Sequence, residues 1–402
     1  MNLSNENIKS GPSKKIPVFK PMLPTVTEAM PYLAQIDTNH WYTNYGPLVQ
    51  AFEARLAEAC GAGPESIVTS CNGTMALVQT LLAVCGYGAK ELCITPSWTF
   101  VATPAAIHAA GLVPYFADVS PSKWALDPNR VEVLADRLRR SGHRVGAVMP
   151  VAPFGAPLDL AAWEAFQERT GIPVIIDAAA GFDCFTQTGK LQAILPPSRL
   201  PVVVSLHATK IFGIGEGAFV LTSDRDLAVR IRSWGNFGFH NTRQAKFAGL
   251  NTKMSEMSAA MGLALLDRWP EIRKEWVAHA ECFRQHVRNQ PYLLPVPVMD
   301  ESWVSSYGLV RFADPSIDLS SLMLWMSSRN VETRRWWEDG CHLQQAYENS
   351  GHENMEGTHA LAQTVLGLPL WRGLGADGLA QVFEVLAEAV AARNVKFIVE
   401  AK

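Results

Sequence analysis

Two residues define the chemistry open to this chain. The apolar run from Pro201 to Val204 reads as a buried strand, followed by Ser205-Leu206-His207-Ala208-Thr209-Lys210 and then the glycine-rich turn Gly213-Ile214-Gly215-Glu216-Gly217. This order sets Lys210 just past a strand's end, facing a cavity, where an amine can condense with an aldehyde once it gives up its proton, as burial favours. One strand earlier, the run Ile172 to Ile176 ends in Asp177 and the small residues Ala178-Ala179-Ala180. A carboxylate so placed can pair with a protonated ring nitrogen. Aldehyde and pyridine nitrogen occur together in pyridoxal phosphate (PLP), and the pair of residues points to that cofactor.

Positioning them requires a sheet. Apolar runs at Ser66–Thr69, Glu91–Thr95, Leu112–Phe116, Val145–Val151, Ile172–Asp177 and Pro201–Val204 alternate with helical stretches at Met75–Val84, Pro104–Ala110 and Asn129–Arg140. That alternation predicts a mostly parallel sheet covered by helices on both faces, with ligands at the carboxyl ends of the strands. Ser70-Cys71-Asn72-Gly73-Thr74 turns from a strand into a helix, and small residues there leave backbone N–H groups free for an anion. Trp98-Thr99-Phe100 offers a flat face on which a ring can stack. The glycines at 213, 215 and 217 lead into the strand Phe219-Val220-Leu221 rather than a helix, so they are not a dinucleotide fingerprint.

Around this core the chain predicts a loose arm over residues 1–20, a short helix over Thr25–Gln35, an aromatic loop at His40–Pro47 and a helix through Phe52 and Ala59. Periodic apolar residues from Met254 to Leu266, and again from Ile272 to Val287, mark helix on both sides of Trp269-Pro270, where the domain change is expected. Beyond it, a strand at Val304–Phe312, a helix at Ser320–Ser328 and an amphipathic helix through Leu379 to Val390 predict a small α+β lobe. The organisation is therefore an arm (1–20), a large domain (21–268) and a small C-terminal domain (269–402).

At 402 residues, with 48% hydrophobic and 18% charged residues, the chain can bury a large core. A formal charge of −3 argues against nucleic acid or an anionic membrane as partner. The N-terminus is polar, no apolar run reaches spanning length, and the expected location is the cytoplasm. Seven scattered cysteines without a C-x-x-C pair read as reduced thiols, with no metal site implied.

Taken together, the motifs Thr43-Asn44-Tyr45-Gly46-Pro47 with Phe52-Glu53, Asn72-Gly73-Thr74, Thr99 to Thr103, Asp177-Ala178-Ala179, Ser205 to Lys210, Gly215-Glu216-Gly217, Asn251 to Glu256 and Leu368-Pro369-Leu370 form an ordered set. In order and spacing this set resembles the DegT/DnrJ-type nucleotide-sugar aminotransferases, a family of fold-type-I PLP enzymes, from about Pro21 to about Leu386. The resemblance implies an α/β fold-type-I aminotransferase with PLP as cofactor. It implies Lys210 as the attachment and proton-transfer residue, Asp177 on the ring nitrogen, Phe100 stacking on the ring with Trp98 second, and Ser205 with Gly73 and Thr74 on the phosphate. Asn251 would reach the phosphate of a neighbouring subunit, so the expected assembly is a homodimer with shared active sites.

The implied reaction moves an amino group from an amino-acid donor, L-glutamate, onto a nucleotide-linked keto-deoxysugar, as surface-polysaccharide or natural-product sugar biosynthesis requires. A keto-cyclitol in place of the sugar, or a non-enzymatic PLP-containing regulatory protein, are the alternatives. For the substrate, Asn44, Tyr45, His240, Arg335 and Trp336 are the candidates: Arg334 and Arg335 for a diphosphate, Trp336 and Trp337 for a sugar or base face. Equally, the two tryptophans fill the small lobe, and the His40–Pro47 loop packs domain against domain. Two positions depart from the family pattern. Ala180 stands where glutamine or histidine is usual, and Lys253 where arginine is usual. Retention of Lys210 argues against the family's dehydrating branch, in which a histidine replaces it.

Overall fold

The structure is a computed structural model and describes residues 15–88, 90–186, 198–297 and 302–392. Seven strands build the large domain: β1 (Ile67–Ser70), β2 (Leu92–Pro96), β3 (Val113–Ala117), β4 (Val145–Val148), β5 (Ile176–Asp177), β6 (Val202–Ser205) and β7 (Ala218–Leu221). One sheet pairs β3-β2-β4 and another β5-β6-β7-β1. Parallel bridges Val148 to Val174 and Val151 to Asp177 join them edge to edge. Among the described strands of this sheet β7 alone runs antiparallel to its neighbours, β1 and β6.

Both faces of this sheet are covered, and the period-2 alternation of a strand decides which residue meets which layer. Val202, Val204, Ile176 and Phe219 belong to the larger core. Val203, Ile175, Ala218 and Val220 belong to the other, shared with Ala76, Leu77 and Leu81 of the helix Gly73–Cys85 and with Ala106 and Ile107 of the helix Ala102–Ala109. By the same alternation Ser205 follows Val203, and Asp177 follows Ile175. The two polar strand-end residues therefore share the face that carries these two helices.

The small lobe holds an antiparallel sheet of β8 (Leu293–Leu294), β9 (Gly308–Phe312) and β10 (Val365–Leu368) in the order β10-β9-β8, flanked by the helices Leu319–Ser328 and Gly375–Ala391. β9 is shorter than the strand expected over Val304–Phe312. Its first residues bond the large domain instead: Val304 N–H donates to Asp183 Oδ2 at 3.0 Å and Ser305 Oγ to the Phe154 carbonyl at 2.6 Å. The Val304 N–H is thereby no longer available to a ladder, and the Ser305 side chain pins the next residue to the large domain.

The expected domain change at 268/269 falls inside one helix, Glu256–Arg288, which contains Pro270. Proline in a helix interior costs about 3 kcal/mol. Packing on both sides offsets it: Trp269 meets Phe182 and Phe212 edge-on at 5.0 and 5.3 Å, and Arg273 forms two charge-assisted bonds with buried Asp183 at 2.6 and 3.0 Å.

Of the arm expected over residues 1–20, residues 1–14 lie outside the described residues. From Ile16 onward it is not loose. Ile16 pairs with Val331, Val18 N–H donates to Glu332 at 3.1 Å, and Trp371 Nε1 donates to the Pro17 carbonyl at 3.0 Å. The apolar residues Ile16 and Val18 are buried there, which polar composition upstream did not suggest. Among the described residues, which include all seven cysteines, no disulfide links them. Among the described residues no helix is long and apolar enough to cross a membrane.

Candidate active site

Asp177 ends β5 with its carboxylate buried. Thr103 Oγ1 donates to Oδ2 at 2.7 Å, and the Ala179 N–H to Oδ1 at 3.1 Å. Burial pushes the carboxyl above its ordinary range, while these two bonds and the field of Lys210 pull it down. An ionised group held this way gains from a cation brought into contact with it, and a protonated ring nitrogen is such a cation.

Beside it, Asn72 caps the helix Gly73–Cys85, accepting from Met75 N–H at 2.9 Å. The Gly73 backbone approaches β6 closely: a Cβ there would stand 3.1 Å from both Cβ and Oγ of Ser205. Ser205 Oγ accepts from His207 N–H at 3.2 Å, which leaves its own proton to donate. A helix N-terminus, a glycine that permits close approach and a hydroxyl with a free proton form a cradle suited to a phosphate.

After β6 the chain turns back through Ala208, whose N–H donates to the Gly215 carbonyl at 2.8 Å. Gly213 is required in this turn, since a Cβ would fall 2.7 Å from the Ala208 carbonyl oxygen. Lys210 is carried on it, half-buried, and its Nζ donates to Tyr307 Oη at 2.8 Å. The residue at the departure position, Ala180, is covered by the turn Pro153–Gly155. There Phe154 adopts a left-handed φ of 52° and Gly155 a φ of 96°, and a Cβ at Gly155 would lie 2.5 Å from the Ala180 carbonyl oxygen.

Phe100 is 61% exposed, a ring with an open face, whereas Trp98 is buried against Trp337 at 5.3 Å. The loop that carries both is anchored to the small lobe. His342 N–H donates to Ser97 Oγ at 3.1 Å, which leaves the Ser97 proton for His342 Nδ1 at 2.6 Å. His342 Nε2 lies 3.3 Å from His359 Nε2. Burial, then the neighbours His352 and His359, lower the His342 pKa from 6.5 to about 4. A ring held neutral in the fold stabilises it fully above its ordinary 6.5, and that contribution is lost as pH falls toward 4. Urea unfolding between these pH values should therefore show a slope that His342→Asn flattens, by on the order of 2–3 kcal/mol over the window. Equal slopes in both proteins would remove this role for His342.

The remaining candidates are scattered. Tyr45 is taken up by the large domain: its ring lies 5.0 Å from the guanidinium of Arg232, itself bidentate to Glu53, and burial pushes the phenol up to about 12. Asn44 beside it is exposed at a left-handed φ of 62°. His240 contacts Asn241 at 3.3 Å. Arg335 uses one nitrogen, Nη2, to pair with Asp339 and to donate to the Ala362 carbonyl at 3.2 Å, which ties that edge of its guanidinium to the small lobe. Trp336 does approach the site, edge-on to Tyr307 at 4.9 Å. Lys253 is buried with its ammonium 4.5 Å from the Phe237 ring centroid, and burial lowers its pKa. Sequence reasoning missed Thr103 and Tyr307. Thr103 closes a quoted motif and opens a helix at a strand's carboxyl end, a readable signal. Tyr307 carried none.

A sheet of this order, with a buried carboxylate, an anion cradle and an amine on one rim, defines a fold-type-I PLP-dependent enzyme. The chain belongs to the DegT/DnrJ/EryC1/StrS aminotransferase family, whose model matches residues 25–387. It is similar to the dTDP-4-amino-4,6-dideoxy-D-glucose transaminase of Shigella dysenteriae, 30% identical over 93% of this chain and 99% of that one. Among solved structures it is similar to DesI, determined in the presence of its TDP-sugar product, at 31% identity and a TM-score of 0.82 over 95% of both chains.

Proposed function

We propose that this PLP-dependent transaminase moves an amino group from L-glutamate onto a keto carbon of a nucleotide-linked deoxysugar. The observation that carries the reading is the joint placement of Lys210, Asp177 and the Gly73–Ser205 cradle on one rim of the sheet. The substrate class rests on the relatives, which are named for a dTDP-amino-dideoxyglucose and a TDP-sugar. When bound, PLP supplies an aldehyde that captures amines and a protonated ring that draws electrons from the adjoining carbon. Asp177 holds the proton on the ring nitrogen. The N–H groups of Gly73 and Thr74 and the Ser205 hydroxyl bind the phosphate, and Phe100 covers a ring face. Lys210 Nζ takes a proton from the donor's α-carbon and returns it one position along. The test is a half-reaction: L-glutamate should convert the holoenzyme's absorption to that of the aminated cofactor, releasing 2-oxoglutarate, and a keto-deoxysugar nucleotide should reverse the change. An unaltered spectrum with glutamate and with other amino donors would exclude transaminase activity.

The same reading makes the active unit a dimer with shared sites. Asn251 is exposed in the single chain, yet it adjoins Thr252, whose carbonyl accepts from the Cys71 N–H in the cradle turn. This adjacency to the cradle turn supports a role for its side chain at a second chain's phosphate. Asn251→Asp, which sets a carboxylate against that phosphate, and Lys210→Ala should each be crippled alone. Mixed dimers should regain about half of the activity per dimer, because one of their two sites carries neither lesion. Failure of exchanged mixtures to recover would assign Asn251 to its own subunit or to no role.

A further inference from the structure

We propose that Tyr307 is part of the reacting centre and aims the Lys210 amine during proton transfer, a proposal that rests on the functional reading of Lys210 above. The contact is direct, Nζ to Oη at 2.8 Å, and joins residues 97 positions apart from the two lobes. A lysine side chain has four rotatable carbons and swings freely unless something holds its end. Tyr307 holds it, because its ring and the segment leading into it are themselves fixed.

Its ring is wedged between Phe154, edge-on at 5.3 Å, and Trp336, edge-on at 4.9 Å. The segment leading into it is bonded to the large domain at two successive residues, Val304 through Asp183 and Ser305 through the Phe154 carbonyl. Asp183 is in turn locked by the bidentate Arg273. The hydroxyl thus belongs to the large domain's rim although the strand that follows it, β9, belongs to the small lobe. Oη accepts from Nζ when Lys210 bears the proton and donates to it when Lys210 is the free base. The one hydroxyl therefore orients the amine in both protonation states while keeping its own proton.

The experiment is Tyr307→Phe, which keeps the ring and its packing, examined by three readouts. Borohydride reduction and peptide mass mapping should find cofactor on Lys210 in both proteins. In single turnovers with α-deuterated glutamate, the variant's proton-transfer rate should fall about a hundredfold and its isotope effect should rise, with the KM for the sugar nucleotide nearly unchanged. In the apoprotein, competitive acetylation should label Lys210 about threefold more than in wild type, relative to exposed lysines, because a neutral hydrogen bond no longer restrains it. Variant rates and isotope effects within twofold of wild type, with equal labelling, would overturn the role of Tyr307 alone. A wild type carrying no cofactor on Lys210 would overturn the functional reading and this role with it.

Discussion

Lys210→Ala should lose transamination by about four orders of magnitude, together with the borohydride-stable link between cofactor and protein. The turn that presents Lys210 is set by backbone bonds, Ala208 to Gly215 and Lys210 N–H to the His207 carbonyl, and none involves the lysine side chain. The variant should therefore fold, and PLP should still reach the Asp177 and Gly73–Ser205 positions without being tethered. What is lost is the amine that moves the proton. Measured by glutamate-dependent product formation with excess PLP, a rate near that of wild type would show that Lys210 is not the reacting residue.

Asp177→Asn should cost about a hundredfold or more in rate, roughly 3 kcal/mol, because an amide cannot keep a proton on the ring nitrogen in a dry site. Its effect on the cofactor-free protein should have the opposite sign. Burial raises the Asp177 carboxyl, so the folded apoprotein bears a growing penalty as pH climbs above the ordinary value of 3.8 and the group ionises. Asparagine carries no such penalty. Its hydrogen bonds survive, since Thr103 Oγ1 can accept from the amide and donate to Thr99 Oγ1, 2.8 Å away. At neutral pH the variant apoprotein should thus melt at or above the wild-type temperature, while the holoenzyme is impaired. A rate loss under threefold would reject the pairing, and a clearly less stable apoprotein would show that the carboxylate is needed by the fold.

The large domain was legible because strand and site coincide. Runs such as Val202–Val204 are buried on both faces and stand out by composition, and the first polar residue after each run is where ligands meet such a sheet. Asp177, Ser205 and Lys210 were readable for that reason. Groups that come from elsewhere in the chain were not. Tyr307 reaches Lys210 through three-dimensional packing alone, and Val304 and Ser305 looked like strand because their bonds to Asp183 and Phe154 leave no mark in a local pattern. Pro270 read as a break, yet Trp269 and Arg273 hold the helix across it. Tyr45 and Arg335 looked available because residue type says nothing of an existing partner, and Arg232 and Asp339 are those partners.

The segment Ile16–Val18 imposes an order on biosynthesis. Val18 bonds a residue 314 positions later, and Pro17 one 354 positions later. Synthesis runs from the N- to the C-terminus, so this segment emerges 314 to 354 residues ahead of its partners. Closing so long a loop adds only modestly to the entropy cost, which grows with the logarithm of length. It does, however, delay the event until Glu332 and Trp371 have been made. The large domain can settle before then, whereas the bridge of Ile16 to Val331 forms only afterwards, and the apolar Ile16 and Val18 lack their burial in the interval.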